Sequence, residues 1–313
     1  MKCLVTGGAG FIGSHIVEAL LMRGDEVVIL DDLSSGKMEN LGDDVARVRF
    51  IEGDVADPKA AAEAVRDVDF VFHQAAIGSV PRSVEHPMAS HHANATGTLQ
   101  MLIAARDAKV KSFVNAASSS AYGDTPELPK RENMPPNPFS PYAATKMGQE
   151  SYCRSFAVSY GMRTVSLRYF NVYGPRQDPE SQYAAVVPKF FDAFLRGRAP
   201  VIYGDGEQTR DFTFVTDVVS ANLKASVLEN AAGEVFNIAG GKKITINELA
   251  AVIQKLTGAK TGSKHEPARA GDIRHSLADV GLAAKQLGWK PTTTLADGLR
   301  FCFEWYRDQV PAA

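Results

Sequence analysis

Apolar residues in the first half of the chain fall into short continuous runs, separated by longer stretches with helical periodicity. Residues 2–6, 26–30, 47–51, 69–73, 112–116, 163–168 and 234–238 read as strands: they are rich in Val, Ile, Leu and Phe at successive positions, the pattern of strands covered on both faces. Residues 14–23, 97–108 and 143–160 carry apolar faces and read as helices. The alternation predicts an α/β fold built on a doubly wound parallel sheet. From about Asn171 the rhythm changes, and Pro175, Pro179, Pro188 and Pro200 cut the chain into shorter pieces. Residues 244–257 and 280–287 read as helices of a smaller lobe that Trp289 and Trp305 help to pack. The expected division is a main domain of residues 1–170, rejoined by 210–240, and a C-terminal α/β lobe of residues 171–209 and 241–313.

Composition narrows the function classes. The 313 residues are 45% hydrophobic, with 34 basic and 36 acidic side chains and a net charge of −2. No charged block points to nucleic acid or an anionic membrane as partner. Cys3, Cys153 and Cys302 are too far apart and odd in number for a disulfide framework or a zinc site. The adjacent His91 and His92 point to different faces of a helix, so no metal site is expected. Met1-Lys2 runs directly into an apolar strand, and the expected compartment is the cytoplasm.

Two local patterns carry chemistry. Gly7, Gly10 and Gly13 lie between the first strand and the first helix, where glycines let the backbone approach a pyrophosphate at a helix N-terminus. Asp31 ends the second strand, where a carboxylate accepts hydrogen bonds from an adenosine ribose, and Asp31 with Asp32 would repel a 2′-phosphate. The cofactor reading is therefore NAD on a Rossmann-type sheet. Asp54-Val55, after the third strand, could reach the adenine; a turn or helix cap is the alternative role for Asp54. Tyr142 and Lys146 stand one turn apart on a helix. A nearby ammonium favours a phenolate, so the pair could take a proton from an alcohol or sugar hydroxyl.

With Gly7, Gly10, Gly13, Asp31, Ser118 and Tyr142-x-x-x-Lys146 in this order, the chain resembles the extended short-chain dehydrogenase/reductases, and within them the nucleotide-sugar epimerases. Nearly the whole chain takes part, including the runs 168–174, 204–212 and 271–279. The resemblance implies Tyr142 as catalytic base, Lys146 as a ligand of the nicotinamide ribose and Ser118 as partner of the reacting sugar oxygen. It also implies cofactor contacts from Phe11 and Ile12 in the glycine loop, Ser35 and Gly36 after Asp31, Gln74, Ala75 and Ala76 after the fourth strand, Asn94, and Phe170. The implied reaction removes hydride and proton from sugar carbon 4 and returns them to the opposite face, with no net redox change.

Ser119 and Ser120 bear on which reaction follows. Related 4,6-dehydratases carry Asp-Glu at these positions and decarboxylases a Glu at the second, whereas serine is a weak acid or base near pH 7. A polar strand end is the plain alternative. The resemblance implies UDP contacts from Asn171, Arg210 and Arg269, with Val187, Tyr203 and Asp272 in the same site; arginines suit a pyrophosphate through their forked donors. Gly78, Ser79, Asn171, Gln177, Ala185 and Ser276 match the subgroup acting on UDP-N-acetylglucosamine and UDP-N-acetylgalactosamine. Serine at 276 leaves room for an N-acetyl group where glucose-specific relatives have tyrosine. Tight backbone packing is the other reason for small residues here. A UDP-glucuronate 4-epimerase is the runner-up, with Arg82 and Arg176 as candidate carboxylate partners. A non-catalytic NAD-binding regulator is the alternative of another class. In the family the helices at 97–108 and 143–160 often pair into a dimeric four-helix bundle, so a homodimer is expected.

Overall fold

The computed structural model describes residues 1–180, 184–229, 233–268 and 273–309. The main sheet contains β1 (Lys2–Thr6), β2 (Glu26–Asp31), β3 (Arg49–Glu52), β4 (Phe70–His73), β5 (Ser112–Ser118), β6 (Thr164–Tyr169) and β7 (Glu234–Ile238). Their order is β7-β6-β5-β4-β1-β2-β3, and every pairing is parallel. Against the sheet lie α1 (Phe11–Met22), α2 (Pro58–Ala64), α3 (Gly97–Asp107), α4 (Pro141–Tyr160) and α6 (Val215–Ser226), while α5 (Val186–Leu195), α7 (Ile246–Thr257) and α8 (Leu295–Gln309) pack with one another.

The apolar runs cover both faces because successive side chains point to opposite sides. Cys3, Val5, Val27 and Ile29 pack with Ile16, Val17 and Leu20 of α1 and Val218 and Ala221 of α6. Leu4, Val28 and Leu30 pack on the other face with Ala61 of α2, Met101 and Leu102 of α3, and Cys153 and Phe156 of α4. The local start and stop signals of α4 are clear. Pro141 occupies its first turn, the Ser140 hydroxyl accepts the Ala143 N–H, and Gly161 ends it in the left-handed region at φ 67°.

A second core holds Tyr173, the α5 stripe Val187, Phe190, Phe191 and Phe194, Ile246 and Leu249 of α7, and Leu299, Cys302 and Tyr306 of α8. Trp305 packs against it, as expected. Trp289 does not. Residues 283–287 form a short π-wound turn, and Ala283, Leu287 and Trp289 lie in the core between the main sheet and α6. The Trp289 indole donates to the Asp217 carbonyl at 3.0 Å, and the Asp217 carboxylate accepts the N–H groups of Thr292 and Thr293. This apolar patch finds its match on α6, a pairing across more than sixty residues that local periodicity does not encode. Among the described residues, no helix is long and apolar enough to cross a membrane.

Candidate active site

The loops leaving the carboxyl ends of β1, β2, β4, β5 and β6 gather at one edge of the sheet, and the strand order reverses between β1 and β4. Such a switch point opens a crevice for a ligand. Gly7 stands in it at φ 67°, its N–H bonded to the Leu30 carbonyl at 2.9 Å. A Cβ on Gly7 would come within 2.8 Å of the Ala75 backbone nitrogen, and one on Gly13 would strike the Gly7 carbonyl oxygen. The glycines thus let two strand exits and the α1 entry crowd together. α1 begins at Phe11 with Gly10 as N-cap, no side-chain cap and no acid in its first turn. The amides of Phe11 and Ile12 belong to the first turn, whose N–H groups have no partner within the helix.

Asp31 is buried at the end of β2, its carboxylate accepting the N–H groups of Ala9 and Leu33 at 2.9 Å each. Burial pushes its carboxyl upward, opposed by those two amides. A Cβ on Gly36 would lie 3.0 Å from an Asp31 oxygen, so Gly36 packs over this carboxylate, and Ser35 beside it is exposed. Asp32 turns outward and accepts the Ser34 N–H and hydroxyl. Asp54 does the job of a turn residue, accepting the Ala56 N–H at 2.8 Å, with His92 Nε2 2.9 Å from its other oxygen. Val55 packs where Gly97 leaves space. A glycine cradle, an uncapped helix N-terminus and a buried carboxylate held by the Ala9 and Leu33 amides fit a dinucleotide with a free ribose hydroxyl.

The wall behind is a buried polar network. The Thr98 hydroxyl donates to the Asn94 carbonyl at 2.6 Å and therefore accepts from His73 Nε2 at 2.8 Å. His73 Nδ1 then accepts from the Thr6 hydroxyl at 2.8 Å, and burial holds the ring neutral, its pKa lowered to about 3. The Asn94 amide is fully buried and tied to Ile77 and to the Thr145 hydroxyl on α4. Gln74 bonds Asn222 and the Tyr169 hydroxyl, while the Ala75 N–H donates to Thr6 and Ala76 remains partly exposed. Phe170 is buried with its ring 6.1 Å from that of Tyr122.

Ser118 ends β5 beside this wall, and its hydroxyl accepts the Ser120 hydroxyl at 2.9 Å. Ser118, Ser119 and Ser120 are all partly exposed. The Tyr142 hydroxyl meets Ser118; burial raises the phenol pKa, and this hydrogen bond opposes the rise. Lys146 is 3% exposed, and its Nζ donates to the Ala116 carbonyl at 2.7 Å, 5.9 Å from the Tyr142 ring centroid. Burial lowers its pKa to about 7, with Glu150 opposing. The sequence suggested a phenol acidified by an ammonium; here desolvation dominates both groups, and they drift toward the phenol and the free amine.

The residues matched to the sugar nucleotide are spread over several segments. Gly78 has open space where a Cβ would be, and Ser79 caps the short helix Val80–Glu85. Asn171, at φ 32°, bonds the Asp211 carbonyl, and the Ser276 N–H donates to Thr209, next to Arg210. Arg210, Tyr203 and Ser276 are partly exposed. Ala185 is exposed at the α5 N-cap, whereas the Val187 side chain is fully packed in the second core. Gln177 bonds the Val172 carbonyl, and among the described residues its buried Oε1 finds no partner. Ion pairs from Arg176 to Glu18 and from Asp178 to Lys37 flank it. Arg269 and Asp272 lie outside the described residues. The sequence reading passed over Ser83, whose buried hydroxyl accepts the Tyr142 N–H at 3.0 Å, and Glu150, which a second four-residue step from Lys146 would have flagged.

The crevice thus brings a dinucleotide-fitting glycine loop and the Tyr142–Lys146 face of α4 to the same edge of the sheet. Residues 3–239 match the NAD dependent epimerase/dehydratase family, and the chain belongs to it. The UDP-glucose 4-epimerase of Mycolicibacterium smegmatis is 41% identical over 315 residues, covering 99% of each chain. The UDP-N-acetylglucosamine 4-epimerase from Methanobrevibacter ruminantium, solved with UDP-N-acetylmuramic acid, superposes with a TM-score of 0.94 at 42% identity, covering 99% of each chain. The Thermus thermophilus UDP-glucose 4-epimerase in complex with NAD gives 0.91 at 38% identity, covering 99% of this chain and 100% of that one.

Proposed function

We propose that this chain is a UDP-sugar 4-epimerase acting on UDP-N-acetylglucosamine and UDP-N-acetylgalactosamine, with UDP-glucose and UDP-galactose as further substrates. The observation that carries it is the placing of Tyr142 beside the end of β5 at Ser118, with the buried Lys146 one helical turn on and 5.9 Å from its ring centre, and with Ser119 and Ser120 alongside in place of an acid and a base. NAD supplies a hydride acceptor and donor. Tyr142 takes and returns the carbon-4 hydroxyl proton, and Ser118 holds the oxygen that loses it. Lys146 carries positive charge beside the phenol, most fully when a ligand oxygen offsets its desolvation. Gly7, Gly10, Gly13 and the first turn of α1 would hold the pyrophosphate of NAD, and Asp31 its ribose. Residues 171–209 and 241–313 supply most of the sugar-nucleotide side, with Asn171 among them and Arg210 beside them. Arg176 is engaged by Glu18, which weighs against a uronic-acid substrate. Incubation with UDP-N-acetylglucosamine and chromatography of the products tests the reading; no UDP-N-acetylgalactosamine at high enzyme concentration would sink it.

Two further outcomes belong here. Ser276→Tyr should cut turnover of the N-acetylated sugars ~10–100-fold relative to UDP-glucose, the scale set by one group in a pocket. An unchanged ratio of kcat/KM for the two sugars would remove Ser276 from the pocket. α3 and α4 leave Leu99, Ile103, Met147 and Tyr152 partly exposed, which supports pairing of these helices between two copies. Sedimentation at micromolar protein should then give a dimer mass, and a monomer mass would contradict it. The three cysteines are free and buried, in keeping with a reducing cytoplasmic setting.

A further inference from the structure

Tyr142, Lys146 and Glu150 follow one another at four-residue steps and form a stripe on one face of α4. Lys146 bonds the Ala116 carbonyl on β5. One turn later the Glu150 carboxylate accepts both Nε (2.9 Å) and Nη2 (2.7 Å) of Arg168 on the neighbouring strand β6. Arg168 is in register with Ala117, so successive turns of α4 are fastened to adjacent points on two strands. The chain of contacts continues. The Arg168 guanidinium lies 4.7 Å from the centre of the Tyr122 ring. Tyr122 closes the tight turn Ser119–Tyr122 that starts from Ser118, and its hydroxyl donates to Asn237 Oδ1 on β7 at 2.7 Å. Glu150, Arg168, Tyr122 and Asn237 are all buried.

We propose that the Glu150–Arg168 pair is a positioning clamp for the reaction at Tyr142: through Tyr122 it holds the serine turn against the helix face that carries Tyr142 and Lys146. The proposal rests on the epimerase reading above. Mere core stabilisation is a poor account of the pair, because apolar side chains of the same volume usually stabilise an interior as well as a buried ion pair does. What apolar packing lacks is direction. A two-pronged carboxylate–guanidinium contact fixes both the separation of helix and strand and the rotation of the helix about its axis. The pair also sets charge. The groups around Lys146 are Tyr142 and Glu150 on α4, neutral His73 on β4 and Arg168 on β6, and of these Glu150 is the anion that favours the ammonium.

The test compares the unaltered enzyme with Glu150→Asp and with the double variant Glu150→Gln/Arg168→Met. The first keeps the charge but withdraws it by one methylene, and the second removes both charges and orphans neither. Both should lose ~10–100-fold in kcat, the cost of a misplacement near 1 Å, while KM and retained NAD stay within about threefold. The double variant should also lose rate at a lower pH on the alkaline side, since Lys146 no longer has its anion. Unaltered kcat and an unaltered pH profile in the folded variants would overturn the clamp. If the double variant does not fold, the kcat-against-KM split of Glu150→Asp decides alone. Absence of turnover in the unaltered enzyme takes down the epimerase reading and the clamp together, whereas an active enzyme with indifferent variants takes down the clamp only.

Discussion

Replacing Tyr142 with phenylalanine is expected to lower kcat by ~10²–10⁴-fold, the usual scale for losing a positioned acid or base, while NAD and UDP-sugar remain bound. The substitution removes one oxygen and leaves the ring. The backbone of the first turn of α4 stays fixed by the Ser83 hydroxyl on the Tyr142 N–H and the Ser140 hydroxyl on the Ala143 N–H. Ser118 keeps its contact with Ser120. Only the hydroxyl proposed to exchange a proton with the substrate is gone. Calorimetric titration with the UDP-sugar should therefore give near-normal affinity from the same sample that shows almost no product by chromatography. Turnover within about tenfold of the parent would take Tyr142 out of the chemistry.

On the proposed role of Lys146, Lys146→Met should cost ~10²–10³-fold in kcat by removing a charge beside the phenol, and it should also leave a signature in stability. In the unfolded chain the amine holds its proton up to about pH 10.5, and in the folded chain only to about pH 7. Below pH 7 both states are protonated, and the cost of burying the charge is present in full. Between these values the unfolded state binds more protons, so the folded state gains stability as pH rises. Methionine abolishes this dependence and adds only a constant offset for the lost bond to Ala116. In protein stripped of NAD, the Tm of the methionine variant relative to the parent should thus be higher near pH 6 than near pH 9. A difference that is constant or reversed would show that Lys146 does not titrate in this window.

Much of the sheet was legible because each strand has a local signature. Cys3 and Val5 alternate with Leu4 between two covered faces, and the ends of β1, β2 and β7 fall within a residue of the runs read from sequence. The glycine loop and Asp31 were equally plain, since a tight turn and a strand-end carboxylate are features of neighbouring residues. The rest depends on partners far apart in the chain. Nothing near Trp289 says that it will find α6. The Asn94 side chain bonds Ile77 and Thr145, seventeen and fifty-one residues away, partners that the residues around it do not announce. Likewise the direction of the Tyr142 and Lys146 shifts follows from desolvation, and spacing on a helix gives proximity without depth.

The place of Trp289 has a consequence for how this protein can be divided. After β6 the chain enters the second core, returns to the sheet with α6 and β7, leaves again for α7, comes back through residues 283–289 and departs once more as α8. Neither half of the chain completes a core by itself. A chain ending after β6 would lack its outer strand, β7, and would bare the apolar surface that α6 and Trp289 cover. The two cores are therefore interleaved along the chain, and a single cut between them leaves both incomplete.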